Sequence, residues 1–200
     1  MKAQRKPVQE RGDQRRKDIL WALHDCMIKV GYAKTTLADV AEVAGMYPSH
    51  LLYYFDGKDA ILQQHFQNVA DQILRRLDKM RGENPRRQID LLAKLFFAGA
   101  GITKSEIGLM LECFGVAVND KVLRREKSEL DAKCKAYLTE LLKQTPRRFL
   151  ASATDSAEVA YATLIGLRTA VYFDKGFDLG EARRLFHTTM LRIAGLSEDE

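Results

Sequence analysis

Apolar residues recur every three to four positions along most of this chain, which is the spacing of one face of an α-helix. No segment alternates between apolar and polar residues with the period of a β-strand. The pattern predicts an all-α protein whose long helices are bounded by Gly, Pro, Asn or Asp residues. These predicted helices cover residues 15–30, 58–80, 86–98, 103–118, 120–143, 155–174 and 179–194.

Two shorter helices are predicted between residues 36 and 55, joined by a tight turn. Thr36 can cap the first helix together with Asp39, and Gly45 can close it in the left-handed conformation. Pro48 suits the first position of the second helix, because the N–H that proline lacks has no partner there. Two short helices joined in this way form a helix-turn-helix, whose second helix fits the DNA major groove.

The segment GYAKTTLADVAEVAGMYPSHLLYYFDGKDAIL resembles the DNA-binding signature of the tetracycline-repressor (TetR) family of transcriptional regulators. The resemblance covers about residues 15–80 and has matches in one register at Gly31, Tyr32, Thr35, Thr36, Val40, Ala41, Ala44, Gly45, Leu51, Tyr54, Phe55, Lys58 and Leu62. It implies a helix-turn-helix DNA-binding domain over residues 15–57, followed by a helical domain over residues 58–200 that binds an effector and dimerises. Residues 58–80 form the connecting helix in this division.

The resemblance also implies which residues contact DNA. A recognition helix over Pro48–Tyr54 presents three residues to the bases: Pro48, Ser49 and Leu52. The positions that hold phosphates in the family are occupied here by Thr36, Tyr47, His50, Tyr53, Tyr54 and Lys58. Leu52 replaces a usual tyrosine and Tyr47 a small capping residue. Since two of the base-facing residues are apolar, they can contact only thymine methyl groups.

The basic residues are concentrated at the N-terminus. Through Lys17 there are seven basic and two acidic residues, a surplus that equals the net charge of +5 for the whole chain. Residues 1–14 also contain Pro7 and Gly12 and little apolar periodicity, so they are predicted to form a disordered basic arm. Beside a helix-turn-helix such an arm favours contacts with phosphates or the minor groove. The alternative is a solvated tail without a function.

Signals for catalysis, cofactors and membranes are missing from the sequence. It has no GxGxxG, GxxxxGK[ST] or GxSxG motif and no apolar run long enough for a membrane span. Cys26, Cys113 and Cys134 are widely spaced, which favours buried apolar roles over a metal site. We therefore predict a cytoplasmic protein that is not an enzyme, has no cofactor or metal and has no membrane partner.

The C-terminal helices carry more apolar surface than one helix pair can bury, which predicts a two-fold pairing into a four-helix bundle. The residues predicted for this homodimer interface are Val159, Thr163, Gly166, Leu167, Ala170, Phe186 and Met190.

An effector pocket is the other expectation for this domain. Its predicted apolar lining is Phe66, Phe96, Met110, Phe114, Tyr137, Tyr161 and Leu164, with Glu112 or Arg168 as the polar anchor. The alternative is that these side chains fill a closed core, because the same composition suits both arrangements. Glu112 could also pair with Arg168 or turn outward.

Taken together, the sequence predicts a homodimeric transcriptional regulator that represses by binding a near-palindromic DNA operator and is released by a small-molecule effector. Repression, release and dimerisation are what the family resemblance implies. The alternative is a helical ligand-binding or interaction module that has lost DNA binding. Salt-dependent retention on DNA separates the two, because only the regulator neutralises phosphates.

Overall fold

The computed structural model describes residues 7–99, 102–146, 150 and 152–197, with their side chains from residue 11 onward. Over these residues the chain forms nine α-helices and no strand, which confirms the predicted all-α fold. The helices are α1 (Pro7–Val30), α2 (Leu37–Val43), α3 (Pro48–Leu51), α4 (Lys58–Met80), α5 (Pro85–Phe97), α6 (Lys104–Ala117), α7 (Lys121–Lys143), α8 (Ala153–Phe173) and α9 (Leu179–Ala194).

The first helix is longer than predicted, because α1 begins at Pro7 rather than at residue 15. The prediction of a disordered arm over residues 1–14 is therefore wrong for residues 7–14, while residues 1–6 lie outside the described part. Proline is well suited to the first helical turn, and the segment that follows is rich in Gln, Glu and Arg. Gly12 lowers the helix propensity only locally and does not end the helix.

The helix-turn-helix has the capping interactions and the glycine turn that its sequence predicts. The Thr36 side chain and the Asp39 side chain each bond to the other residue's backbone N–H, which confirms the predicted capping box at the start of α2. Gly45 closes α2 with a φ of 64°, a left-handed conformation that glycine adopts without steric cost. Beyond it the Met46 amide donates to the Ala41 carbonyl at 2.9 Å, completing the turn.

The recognition helix is shorter than predicted. α3 ends at Leu51, and residues 52–54 continue as a turn rather than as helix to Tyr54. The turn is held by amides that donate three residues back, from Tyr53 to His50 and from Tyr54 to Leu51, at 3.2 and 2.9 Å. Such tighter hydrogen bonds are common where a short helix ends.

The chain divides into two compact units, residues 1–69 and 70–200, and the division falls inside α4. In the first unit α2 packs against α1 and α3. The buried core of this unit includes Ile19, Leu23, Val40, Leu51 and Ile61, which have no exposed surface. This core fixes the orientation of α3, because Leu51 is anchored while its helical neighbours remain outside.

In the second unit, which we call the body, α8 packs against α6, α7 and α9, and α5 packs against α7 and α9. Phe186 and Met190 lie entirely within this packing, and the Phe97 and Phe186 rings are 5.4 Å apart. The prediction that Phe186 and Met190 form the dimer interface is therefore wrong. Both side chains are buried in the core of their own chain, so they expose no surface to a second copy.

Two smaller expectations concern the cysteines and membranes. Cys26, Cys113 and Cys134 are all buried as free thiols, as predicted for small apolar core residues. Among the described residues, no helix combines the length and apolar character that crossing a membrane requires.

Candidate nucleic-acid interface

α3 presents a row of exposed side chains on its solvent side. Pro48, Ser49 and Leu52 are all exposed, and Leu52 has 52% of its surface accessible. They share one side of the helix because residues four apart lie one turn above each other. Leu51 points to the opposite side and is fully buried. The three residues predicted to face bases are thus brought together, and Leu52 offers apolar surface to a thymine methyl group.

Aromatic and imidazole rings surround this face. Tyr47, His50 and Tyr53 are exposed, and Tyr53 has 84% of its surface accessible. The Tyr47 ring stands edge-on to His50 and the Tyr53 ring edge-on to Tyr54, at centroid distances of 6.0 and 5.3 Å. The hydroxyl groups of exposed tyrosines can donate to phosphate oxygens.

Of the predicted phosphate contacts Thr36 and Tyr47, only Thr36 uses its side chain to cap a helix. The Thr36 hydroxyl donates to Asp39 Oδ2 at 2.7 Å while it caps α2. Tyr47 caps α3 through its backbone only, without a side-chain hydrogen bond. The tyrosine in the place of a small capping residue therefore provides no side-chain cap for α3, and its ring remains exposed.

Lys58 has a definite role within the first unit. Its ammonium group donates to the carbonyl oxygens of Tyr32 and Thr35, at 2.8 and 2.7 Å, and lies 4.2 Å from the centre of the Tyr32 ring. The Tyr32 hydroxyl donates to Asp59 in turn. Lys58 therefore ties the loop after α1 to the start of α4. An ammonium has three donors, so a phosphate contact by Lys58 stays a prediction.

Replacing Lys58 by alanine is expected to lower the free energy of unfolding by about 2 kcal/mol, because hydrogen bonds from a charged donor stabilise by ~1.5–3 kcal/mol each. Denaturant melting against the Lys34→Ala variant, in which an exposed lysine nearby is lost, measures this effect. Equal stabilities of the two variants would contradict the role of Lys58. If Lys58→Ala also lowers the salt slope of DNA binding by about one, Lys58 contacts a phosphate as well.

The sequence did not reveal how α1 supports the interface. The Arg16 guanidinium lies 5.2 Å from the centre of the Phe55 ring and 6.0 Å from that of Tyr54. Arginine stacked on aromatic rings holds both partners in place. In the sequence Arg16 contributes only to the basic N-terminal surplus, because a contact over nearly forty residues leaves no local pattern.

A histidine pair joins α1 to α4 in the same unit. His24 Nδ1 and His65 Nε2 are 3.5 Å apart, and His24 is only 7% exposed. Burial, together with the neighbouring His24, lowers the pKa of His65 to about 4. The Trp21 ring, itself 63% exposed, stands edge-on to His24 at 5.3 Å. The two helices are thus packed through a pair of imidazoles, and burial disfavours the charged form of His65.

The structure brings together four of the residues predicted for the effector pocket. Phe96, Tyr137, Tyr161 and Leu164 line one cavity in the body, whose volume is only about 10 Å³. That is room for a single water molecule at most. The Tyr137 hydroxyl donates to Gln88 Oε1 at 2.7 Å, so the polar group of the lining has a partner. In this conformation these side chains therefore fill a closed core, which is the alternative to an effector pocket that the sequence left open.

The remaining predicted pocket residues lie outside this cavity. Phe66 is buried in the first unit, and Met110 and Glu112 are half-buried on α6. Phe114 is half-buried beneath the Lys127 ammonium, which is 4.2 Å from its ring centre. Arg168 is buried, but its hydrogen bond goes to the Phe96 carbonyl rather than to Glu112. The suggested Glu112–Arg168 pair is therefore not formed.

The dimer residues predicted on α8 include a coherent outer stripe. Val159, Thr163, Gly166 and Ala170 recur at intervals of four and three. Phe173, which is not among the predicted residues, continues the same spacing and is 71% exposed. None of them carries a charge. This spacing places them along one side of the helix, as at a helix–helix interface. The fifth α8 residue of the prediction, Leu167, is half-buried against the body core instead.

Comparison with known proteins gives the family of the chain. A model of bacterial regulatory proteins of the tetR family matches residues 19–64, which contain α2 and α3. A model of the C-terminal part of BetI-type transcriptional repressors matches residues 85–195, more than half of the 200 residues. This chain belongs to the TetR family. It is a ligand-responsive, DNA-binding transcriptional regulator, which confirms the resemblance seen in the sequence.

Individual relatives of this TetR-family regulator span nearly its full length. HTH-type transcriptional regulator BetI 2 of Chromohalobacter salexigens is 25% identical over 179 residues, covering 87% of this chain and 86% of the relative. A transcriptional regulator from Rhodococcus sp. Rha1 has the same fold, with a TM-score of 0.78 at 18% identity over 89% of this chain and 95% of that one. A putative transcriptional regulator from Saccharomonospora viridis, solved in complex with choline, gives 0.78 at 17% identity over 88% and 95%.

Proposed function

We propose that this protein is a homodimeric repressor that occupies a near-palindromic operator and leaves it when a small molecule binds to the body. The exposed α3 face formed by Pro48, Ser49 and Leu52 carries this proposal, since it supplies a rigid surface of the size read in a major groove. The match to BetI-type repressors supports repression rather than activation.

Leu52→Ala is the direct test of base reading. Leu52 is more than half exposed, so its truncation removes surface from the interface without opening a core cavity. Losing an apolar contact with a thymine methyl should weaken operator binding roughly 3- to 10-fold, since each buried CH₂ contributes about 0.8 kcal/mol. Binding to scrambled DNA should change less than about twofold, because phosphate contacts remain.

The measurement requires an operator, which can be selected from a random DNA pool with the wild-type protein and then titrated at one fixed salt concentration. Val43→Ala provides the control, because Val43 is 48% exposed and lies on α2 rather than on α3. An equal loss on operator and scrambled DNA would exclude base reading by Leu52. If the wild type shows no salt-dependent binding to any DNA, the module that has lost DNA binding becomes the better description.

The dimer is proposed to form through the outer stripe of α8. Its members combine small and apolar side chains, which allows two helices to approach closely and bury Phe173 and Val159 between copies. A two-fold pairing would provide two DNA-binding units for the two halves of a near-palindromic site.

Release is proposed to work through α4, which contributes residues to both compact units. A ligand that favours one position of this helix changes the placement of the DNA-binding unit. A tenfold loss of operator affinity requires the ligand to prefer the DNA-incompetent state by about 1.4 kcal/mol. Residues 15–57 would then act as the reading domain and residues 58–200 as the effector and dimerisation domain.

A further inference from the structure

The buried side of α8 ends in a charged group. Tyr161, Leu164 and Arg168 follow one another at intervals of three and four, so they share one side of the helix. Arg168 is only 8% exposed. Its Nη1 donates to the Phe96 carbonyl at 2.9 Å, whereas its Nε is buried and has no hydrogen-bond partner among the described residues.

This guanidinium also lacks an anion of its own. Among the described residues, no carboxylate lies within ion-pair distance of Arg168. Burial lowers its pKa to about 10, against smaller opposing contributions from Tyr161 and Glu106. A charge taken out of water without a paired ion is costly, and interiors tolerate it only for a compensating interaction. Most of the five N–H donors of Arg168 are available for such a compensating interaction.

The surroundings of Arg168 are apolar and adjoin the closed cavity. Phe96, whose carbonyl accepts from Arg168, lines that cavity, and so does Leu164, one turn away on α8. The Asp131 carboxylate on this side already accepts from Tyr161 and pairs with Lys127, each at 2.5 Å. Near the cavity, Arg168 is therefore a cation without an ion-pair partner beside aromatic and aliphatic side chains.

We propose that the effector site of the body takes an apolar carboxylate, whose oxygens bind the Arg168 guanidinium while its hydrocarbon part lies against Phe96, Tyr161 and Leu164. This inference rests on the proposed function, since it assigns the chemical class of the proposed effector. A carboxylate matches the planar fork of donors of a guanidinium and supplies the missing anion. A quaternary ammonium such as choline, present in the Saccharomonospora viridis relative, would face a like charge here.

The site must open to bind, because the present cavity of about 10 Å³ holds no organic molecule. A ligand that binds only an expanded conformation makes that conformation dominant. The competing explanation gives Arg168 a purely structural role, since the Phe96 carbonyl lies in the last turn of α5 and a cation there complements the helix dipole. The two explanations differ in whether binding of a carboxylate depends on Arg168.

The test compares 3-phenylpropionate and octanoate with their neutral amides, 3-phenylpropanamide and octanamide, and with choline. Thermal shift and calorimetric Kd are measured on the wild type, Arg168→Met, Arg168→Lys and Arg183→Met. Arg183 is an exposed arginine on α9, so its variant controls for loss of charge elsewhere in the body. Methionine fills a similar volume without a charge, and the Lys variant keeps the charge if the Met variant folds poorly.

A carboxylate is expected to raise the Tm of the wild type and of Arg183→Met, whereas the amides and choline leave it unchanged. Arg168→Met should weaken the carboxylate at least about tenfold, with an intermediate loss in Arg168→Lys because a single ammonium cannot replace two parallel hydrogen bonds. Absence of any carboxylate shift, equal binding of amide or choline, or unchanged affinity in Arg168→Met would overturn the proposal.

Operator binding in the presence of each compound separates this proposal from the proposed function. Carboxylate binding that depends on Arg168 but leaves operator affinity unchanged supports the site and removes its role in release. Operator release by choline, without carboxylate binding, overturns the assignment of the ligand class while the repressor function stands.

Discussion

Gly166→Glu is expected to produce monomers that lose operator binding by at least roughly 100-fold. Gly166 lies at the centre of the outer stripe of α8, and a Cβ built on it meets no atom within 4 Å in its own chain. A carboxylate there would leave the monomer intact but, in the proposed dimer, would be buried against the uncharged stripe of a second copy. Loss of one of two linked DNA-binding units removes an avidity that typically amounts to 10²–10⁴.

Sedimentation at micromolar protein and titration of the selected operator measure the two effects of this variant. Gly115→Glu is the matched control, because Gly115 is also an exposed helical glycine with open space at its Cβ, but lies on α6. Both variants should melt cooperatively, with a lower Tm for Gly166→Glu because it loses the stabilisation that dimer formation adds. A dimeric Gly166→Glu protein, or a monomeric wild type, would show that α8 does not form the interface.

Acidification is expected to destabilise the first unit through the histidine pair. The pKa of His65 is lowered from 6.5 to about 4 by burial and by His24, so the folded state binds this proton less readily than the unfolded state. The stabilising contribution is therefore complete above pH 6.5 and is lost as the pH falls towards 4. The total is roughly 3 kcal/mol, since one pKa unit corresponds to about 1.36 kcal/mol.

Denaturant unfolding at pH 7.0, 5.5 and 4.5 measures this loss in the wild type and in His65→Leu, whose side chain does not titrate. The free energy of unfolding should fall more steeply in the wild type than in His65→Leu. His50→Leu, at an exposed histidine of α3, should follow the wild type. Parallel pH profiles for the wild type and His65→Leu would mean that folding does not lower the pKa of His65.

Helix ends in the body could be predicted closely because their signals are local. Thr103, Asp120 and Asp178 each accept a hydrogen bond from the amide three residues on, and Gly195 ends α9 in the left-handed conformation. These interactions involve neighbours in sequence, so residue types and spacing suffice to place them. The start of α1 was missed for the opposite reason, since a basic segment near a chain end has no apolar face to reveal a helix.

The part of the candidate site that lies within the helix-turn-helix motif could be predicted from the sequence. Contacts between residues far apart in the sequence could not. The exposed face of Pro48, Ser49 and Leu52 follows from the helix-turn-helix pattern. The engagement of Lys58 with two carbonyls depends on how a loop folds back on α4, a contact that composition does not encode. Phe186 was misplaced because an apolar residue can be covered by its own chain or by a partner, and only tertiary packing decides which.

Trp21 is the only tryptophan of the chain, and its indole stands edge-on to His24 in the first unit. All indole emission of the protein therefore originates beside the histidine pair, and the body contributes none. Because the indole packs edge-on against His24, the fluorescence intensity should change when the packing of α1 around Trp21 changes. The protein thus carries a built-in optical probe that reports on its DNA-reading end, without a label, while an operator or a carboxylate is titrated.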